Sequence, residues 1–223
     1  ADKFDDAALA KLAPLAGQVT GHIGSGDEIQ AFRWAAGVLT PLGTLGGPST
    51  GLAISSNGVV AGYSITDGET QAFLHDGIGL VPLGTLGGAG SSAHGVNAAG
   101  QVTGQSTNGA GQFRAFIYSG GSMSDIGTLG GDFAFGAGIN NAGHVVGESS
   151  LNNAPVPDVH AFLYRDGVMH DLGTLGGRIS SAAAINDAGQ VTGHSTTEGS
   201  VERVFLYVVG EMIALGTLGG RRS

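Results

Sequence analysis

The pentapeptide GTLGG occurs five times in this chain, beginning at Gly43, Gly84, Gly127, Gly173 and Gly216. Repetition at a fixed period constrains a fold more than any single motif. Each unit is one small piece of structure that must bury its apolar face against its neighbours. The copies lie 41, 43, 46 and 43 residues apart. Two further signals keep step with them. A Gly-x-Val-x-Gly motif begins at Gly17, Gly58, Gly100, Gly143 and Gly189, and a phenylalanine stands at Phe32, Phe73, Phe116, Phe162 and Phe205. From each Phe to the next GTLGG is 11 residues in all five units. From the last glycine of Gly-x-Val-x-Gly to the Phe the interval is 11, 11, 12, 15 and 12. Length variation is thus confined to one connection per unit, and surface loops tolerate such variation where packed strands do not.

Each unit reads as four short strands. In the last unit these are 180–186, 190–195, 203–207 and 211–218, with a turn at Asn186-Asp187-Ala188-Gly189 that puts Asn and Gly where positive φ is needed. Four strands in roughly 40–50 residues is the period of a propeller blade. The predicted fold is therefore all-β, a five-bladed β-propeller-like domain over residues 17–223, built from five units of about 43 residues with four strands each. Residues 1–16 form a separate N-terminal segment. The last GTLGG is followed only by Arg221, Arg222 and Ser223, so its next strand is expected from residues 1–16. Alternatively that segment is a short capping helix, as its Ala, Leu and Lys content with Asp5 or Asp6 as N-cap suggests, or the array is open and the missing strand comes from another chain.

Composition excludes several functions. The formal net charge is −9 and the only lysines are Lys3 and Lys11, so no basic patch is available for nucleic acid or anionic membrane. There is no cysteine, which removes disulfides, thiolate zinc sites and thiol catalysis. No run of 18 apolar residues would span a bilayer as a helix. Hydrophobic residues make up 41%, enough for a packed core, although Gly is far above its usual share.

GTLGG itself does not fit a phosphate-cradling loop. No Lys follows it, and the string recurs in every unit rather than once. It reads as the crossing between neighbouring sheets, where a Cβ would clash. Trp34, His75, Tyr118, Tyr164 and Tyr207 stand two residues after each Phe, on the same strand face, and read as packing between units. The position after Gly-x-Val-x-Gly carries His22, Tyr63, Gln105, Glu148 and His194. Closure of the ring would bring His22 near His194, and these are the metal candidates, with no third ligand assignable.

The quoted pattern, GIN-x-AG-x-V-x-G-x-S followed by AFLY and LGTLGG, resembles the bacterial extracellular HAF repeat, whose tripeptide stands here as His160-Ala161-Phe162. The resemblance spans residues 17–220. The other units carry Gln30, Gln71, Arg114 and Arg203 in place of the histidine. The resemblance implies an exported bacterial protein, extracellular or at the cell surface, and brings no catalytic residues.

Function is expected on the variable loops, near 24–29, 65–70, 107–113, 150–159 and 196–202, which diverge on a repetitive scaffold. Their candidate ligand-binding residues are Asp27, Glu28, Asp67, Glu69, Asn152, Asn153, Asp158, Glu198 and Glu202, together with Asp132 near the start of a first strand. Acidic and amide side chains suit sugar hydroxyls or a loosely held Ca²⁺; no other cofactor is expected. The expected function is non-catalytic binding of carbohydrate or a surface protein. Two alternatives remain: a self-assembling extracellular subunit, and a polysaccharide-active enzyme. The enzyme would need a pair of carboxylates, and Asp132 with Glu148 is the only candidate pair.

Overall fold

The computed structural model describes residues 17–216; the expectations for residues 1–16 and 217–223 lie outside it. The described chain is all-β apart from one 3-10 turn, Gly26–Glu28. Its strands run as successive antiparallel meanders. The first has three strands, β1 (Gln18–Ile23), β2 (Gln30–Ala35) and β3 (Val38–Gly43). The second is β4 (Ser49–Ile54), β5 (Val60–Thr66), β6 (Glu69–His75) and β7 (Leu80–Pro82). The third is β8 (Gly87–Val96), β9 (Val102–Asn108), β10 (Phe113–Ser119) and β11 (Ser122–Asp125). The fourth is β12 (Ala134–Ile139), β13 (Val145–Ser150), β14 (Val159–Arg165) and β15 (Val168–Asp171). The fifth is β16 (Gly176–Ile185), β17 (Val191–Thr197), β18 (Glu202–Val208) and β19 (Glu211–Ala214). One parallel bridge, Val159 to Ile179, ties the last two meanders together. Among the described residues no strand pairing links β16–β19 back to β1–β3.

Strand boundaries depart from the sequence pattern in two ways. The first strands β8 and β16 begin inside GTLGG, because the Gly87 and Gly176 backbones already pair with Asn108 and Thr197. The second and third strands also run further than expected. β5 and β6 pair as far as Thr66 and Glu69, so the predicted loop 65–70 shrinks to the turn Asp67-Gly68, with φ of 53° and 83°. Asp-Gly is well suited to a turn that needs positive φ at both central residues.

Each described first strand carries a bulge. Leu52, His94, Ala137 and Ala183 are the extra residues, between register pairs Gly51–Gly62 and Ala53–Ala61 and their equivalents. A bulge bends its strand and sharpens the local twist. Beside it, a first-strand carbonyl presses on the second strand. A Cβ on Gly62, Gly104, Gly147 or Gly193 would stand 2.0, 2.0, 1.9 and 2.0 Å from the carbonyl oxygens of Thr50, Ser92, Phe135 and Ser181. That contact explains the last glycine of Gly-x-Val-x-Gly. The same glycine is the register partner of the unit's Phe, as in Gly62–Phe73 and Gly193–Phe205.

There is no single central core. Four apolar clusters each straddle the seam between consecutive meanders. Ala31 and Leu42 meet Val60 and Phe73. Ala61, Ala72 and Leu83 meet Ala93, Val96, Val102 and Phe116. Ala115 and Ile126 meet Ala134, Val145 and Phe162. Val146, Ala161, Leu163 and Leu172 meet Ala182, Val191 and Phe205. In the repeated Ala-Phe pair, the Ala therefore packs forward on the next unit and the Phe packs backward on the previous one. The central Val of Gly-x-Val-x-Gly is fully buried in the last four units, whereas Val19, on the strand with no described inner neighbour, is 41% exposed.

Serine hydroxyls pin the crossings. Ser49 accepts from the Ala31 amide at 2.8 Å and donates to the Gly43 carbonyl at 2.6 Å. Ser91 does the same with Ala72 and Gly84, and Ser180 with Ala161 and Gly173. A second serine, at Ser64, Ser106, Ser149 and Ser195, accepts from the leucine amide of GTLGG at 2.9–3.0 Å. At the other end of the strands, the turn asparagines link unit to unit. Nδ2 of Asn97 donates to the Asn140 carbonyl at 2.9 Å, and Nδ2 of Asn140 donates to the Asn186 carbonyl at 3.1 Å. Each of the two also accepts from two amides of its own turn.

Candidate functional site

Antiparallel order puts the second-to-third-strand loops and the GTLGG crossings at one end of the strands, and the Asn turns at the other. The expected binding residues lie at the loop end. Asp27 and Glu28 sit on the exposed 3-10 turn, whose chain reversal is closed by Glu28 N–H donating to the Ser25 carbonyl at 3.2 Å. Asp67 occupies the β5–β6 turn and Glu69 opens β6. Asn152 and Asn153 lie in the eight-residue loop between Ser150 and Val159, where Asn152 Oδ1 accepts from the Ala154 amide at 3.1 Å. Asp158 closes that loop, and its Oδ1 accepts from Arg178 Nε at 2.5 Å. Glu198 is exposed in the last loop, and Glu202 opens β18.

Asp132 lies in the crossing before β12 rather than on the strand. It is exposed, and its carboxylate accepts from Gln112 Nε2 at 3.1 Å, while its carbonyl accepts from Arg114. The bulge residues of the first strands are Leu52, His94, Ala137 and Ala183, and none is a carboxylate. His22 and His194 are both exposed strand residues. Among the described residues no three His, Asp or Glu side chains converge as a metal-binding set.

Three cavities mark the surface. One of about 480 Å³ lies between the β1–β2 loop of the first unit and the crossing that follows it, lined by Ile23, Asp27, Glu28, Gln30, Thr44, Gly46 and Gly47. A second, about 310 Å³, lies between the second and third units and includes Glu69, Thr70, Gln105 and Phe113. The third, about 300 Å³, is at the opposite end, where the Asn turns of four units converge. Its amide side chains are engaged in hydrogen bonds within and between the turns. Asp187 accepts from the Asn141 backbone and side-chain amides at 2.9 and 2.7 Å, and these bonds hold its carboxyl below the usual carboxylate range.

Two titratable groups have structural roles that the sequence did not announce. The histidine of the tripeptide, His160, places Nδ1 2.9 Å from both carboxylate oxygens of Asp171 on the adjacent strand. Arg114 and Asp125 occupy the same two positions one unit earlier, 3.6 Å apart. Where the fourth strand carries Pro41 or Pro82, the third carries Gln30 or Gln71. That pairing across the repeats was the available signal. His94, half-buried on the β8 bulge, lies 3.1 Å from Ser92 Oγ and 3.2 Å from the Gly136 carbonyl. Burial holds its imidazole below the usual range, against the opposing effect of that carbonyl. It is one of the links between neighbouring first strands.

The crossings bear out the punctuation reading of GTLGG. In all four described copies the first two glycines, at positions one and four of the motif, have positive φ, as at Gly43 (86°) and Gly46 (140°). The threonine hydroxyl accepts from the second glycine's amide at 3.2–3.3 Å. In every described copy the leucine amide, the second glycine's amide and the threonine hydroxyl are engaged at the crossing itself.

No protein-family model and no curated protein sequence matches the chain. Solved structures do. TolB from Acinetobacter baumannii is similar with a TM-score of 0.59 at 12% identity, over 91% of this chain and 54% of that one. A putative TolB from Agrobacterium tumefaciens gives 0.56 at 16% identity, over 90% and 81%. The β-propeller domain of the Trilobed protease from Pyrococcus furiosus, which has an open velcro topology, gives 0.59 at 9% identity, over 92% and 68%. The chain thus spans about half the length of the Acinetobacter protein. These similarities establish a β-propeller-like all-β fold. No helix among the described residues is long and apolar enough to cross a membrane.

Proposed function

We propose that this chain is a five-bladed propeller domain of an exported bacterial HAF-repeat protein. It binds carbohydrate or another surface protein through its variable-loop end and catalyses no reaction. The observation that carries the reading is the contrast between the two ends of the strands. At the Asn-turn end, side-chain amides are consumed by unit-to-unit hydrogen bonds. At the loop end, two cavities of about 480 and 310 Å³ open beside loops of unrelated sequence. Divergent loops on a repeating scaffold are where recognition is placed without disturbing the fold. Five similar meanders, each packed on the next through the same Ala, Val and Phe positions, support the blade count.

The test is a binding screen of the full chain against a glycan array and against intact bacterial cells. It is repeated with residues 24–29 and 151–158 each replaced by Gly-Asn-Gly linkers, and with Phe113→Ala beside the 310 Å³ cavity. Binding is expected to fall with at least one of the three changes while the melting temperature holds. Binding that survives all three would dispose of the reading.

A further inference from the structure

The cavity between the second and third units supports a more specific assignment. The residue before the first-strand serine, or its Ala134 equivalent, is Pro48, Gly90, Phe133 and Ile179 in the four described crossings. Only the third unit lacks a side chain at this position: Gly90 lines the 310 Å³ cavity with its backbone close against Thr70, whose Oγ1 a Cβ there would approach to 3.0 Å.

One wall of that cavity is Phe113, 46% exposed at the start of β10. Its ring is held from behind by Phe135, at 5.6 Å between centroids and 60° between planes. Phe135 in turn stacks on Phe133 at 5.2 Å. An exposed ring backed by two others is a fixed apolar platform.

The polar lining divides into spent and free groups. Ser91 donates to Gly84, and Ser106 and Thr107 bond to Gly90. The side chains of Glu69, Thr70 and Gln105 make no hydrogen bond to any described residue. Glu69 is the one charged lining residue, and no Lys or Arg joins it. A carboxylate accepts from two hydroxyls at once, and an amide both donates and accepts. A lone carboxylate with no cation disfavours phosphates, sulfates and uronic acids. The volume sits at the small end of ligand sites, roughly 300–1,000 Å³, which suits one ring rather than an extended chain.

We infer that this cavity binds a single neutral pyranose residue, its C–H face on Phe113 and its hydroxyls on Glu69 and Gln105. The inference rests on the reading of the loop end as the binding surface, and it adds the ligand class and the residues. A single sugar held by these few groups binds in the millimolar range.

The experiment is saturation-transfer NMR on the full chain with methyl glycosides of glucose, galactose, mannose, fucose and N-acetylglucosamine, and methyl glucuronide as the anionic probe. At least one neutral glycoside is expected to bind through its C–H protons, with the glucuronide excluded. Phe113→Ala and Glu69→Gln are each expected to weaken it by about tenfold, a step of the size a lost charged hydrogen bond or stacking contact gives. Phe113→Leu keeps apolar bulk against Phe135 and checks that any loss is not misfolding. Three results overturn the assignment: no neutral glycoside binds, the glucuronide binds equally well, or Phe113→Ala binds unchanged. If glycosides fail but a protein or cell surface is bound and released by loop replacement, the sugar assignment falls and the binding surface stands. If binding ignores every change at the loop end, both fall.

Discussion

The serine that pins each crossing is missing once. Register places Ser49, Ser91, Ala134 and Ser180 at one position, opposite Ser64, Ser106, Ser149 and Ser195. At three seams a hydroxyl therefore links a third-strand amide to a glycine carbonyl of the crossing. At the seam between the third and fourth units, Ala115 N–H and the Gly127 carbonyl have no serine to meet. Ala134→Ser adds one oxygen at a fully buried site whose three counterparts hold it at 2.6–3.0 Å from both partners. Two hydrogen bonds at about 1 kcal/mol each, less roughly 0.5 kcal/mol for fixing the hydroxyl, give a gain of about 1–2 kcal/mol. For a chain of this size that raises the melting temperature by about 2–8 °C. Ser91→Ala and Ser180→Ala should lose a similar amount or more, since each leaves two buried groups unpaired. Calorimetry and urea titration of the three variants decide it. If Ala134→Ser is neutral or destabilising while Ser180→Ala costs nothing, the hydroxyl bridge is not what holds the crossing.

Two further outcomes are expected. Gly193→Ala would drive a Cβ to 2.0 Å from the Ser181 carbonyl; the variant should lose more than about 3 kcal/mol or fail to accumulate as folded protein, seen by circular dichroism and solubility, and a normal melt would refute the bulge argument. The folded-state pKa of His94 lies below its unfolded value because of burial, and that of His75 is lowered chiefly for the same reason. The unfolded chain therefore binds more protons as pH falls below about 6.5, so the neutral-histidine contribution is complete above that pH and is lost on acidification through the lowered values. His94→Gln should flatten part of that slope in urea melts between about pH 7 and 5, and an unchanged slope would show that His94 does not supply it.

Much of the fold was legible because its devices repeat. GTLGG, Gly-x-Val-x-Gly and the Phe each recur at the same place in every unit, so strand number and unit boundaries followed from spacing. The glycines were legible as necessities, although the bulge that makes Gly62 or Gly193 obligatory was not, since a one-residue slip leaves no mark in a pattern of small residues. The Asn turns were read as local geometry only. Nothing near Asn97 shows that its side-chain nitrogen reaches a carbonyl 43 residues away. The candidate site was the least legible part. Searching the loops for charge found Glu69 but passed over Phe113, a hydrophobic residue between a polar loop and a strand. It also passed over Gly90, whose meaning lies in what the other units carry there.

The asparagine links have a direction. Asn97 gives to Asn140 and Asn140 gives to Asn186, always from the earlier unit to the later. At the described end of the series, Asn186 turns its nitrogen to its own Gln190 at 2.7 Å. The asparagine links at these two seams thus have the same donor side and the same acceptor side. In genetic terms, an in-register exchange between two such repeats yields a seam with its donors and acceptors already matched, wherever inside the unit the break falls. For these links, gaining or losing a unit of about 43 residues leaves no mismatched junction.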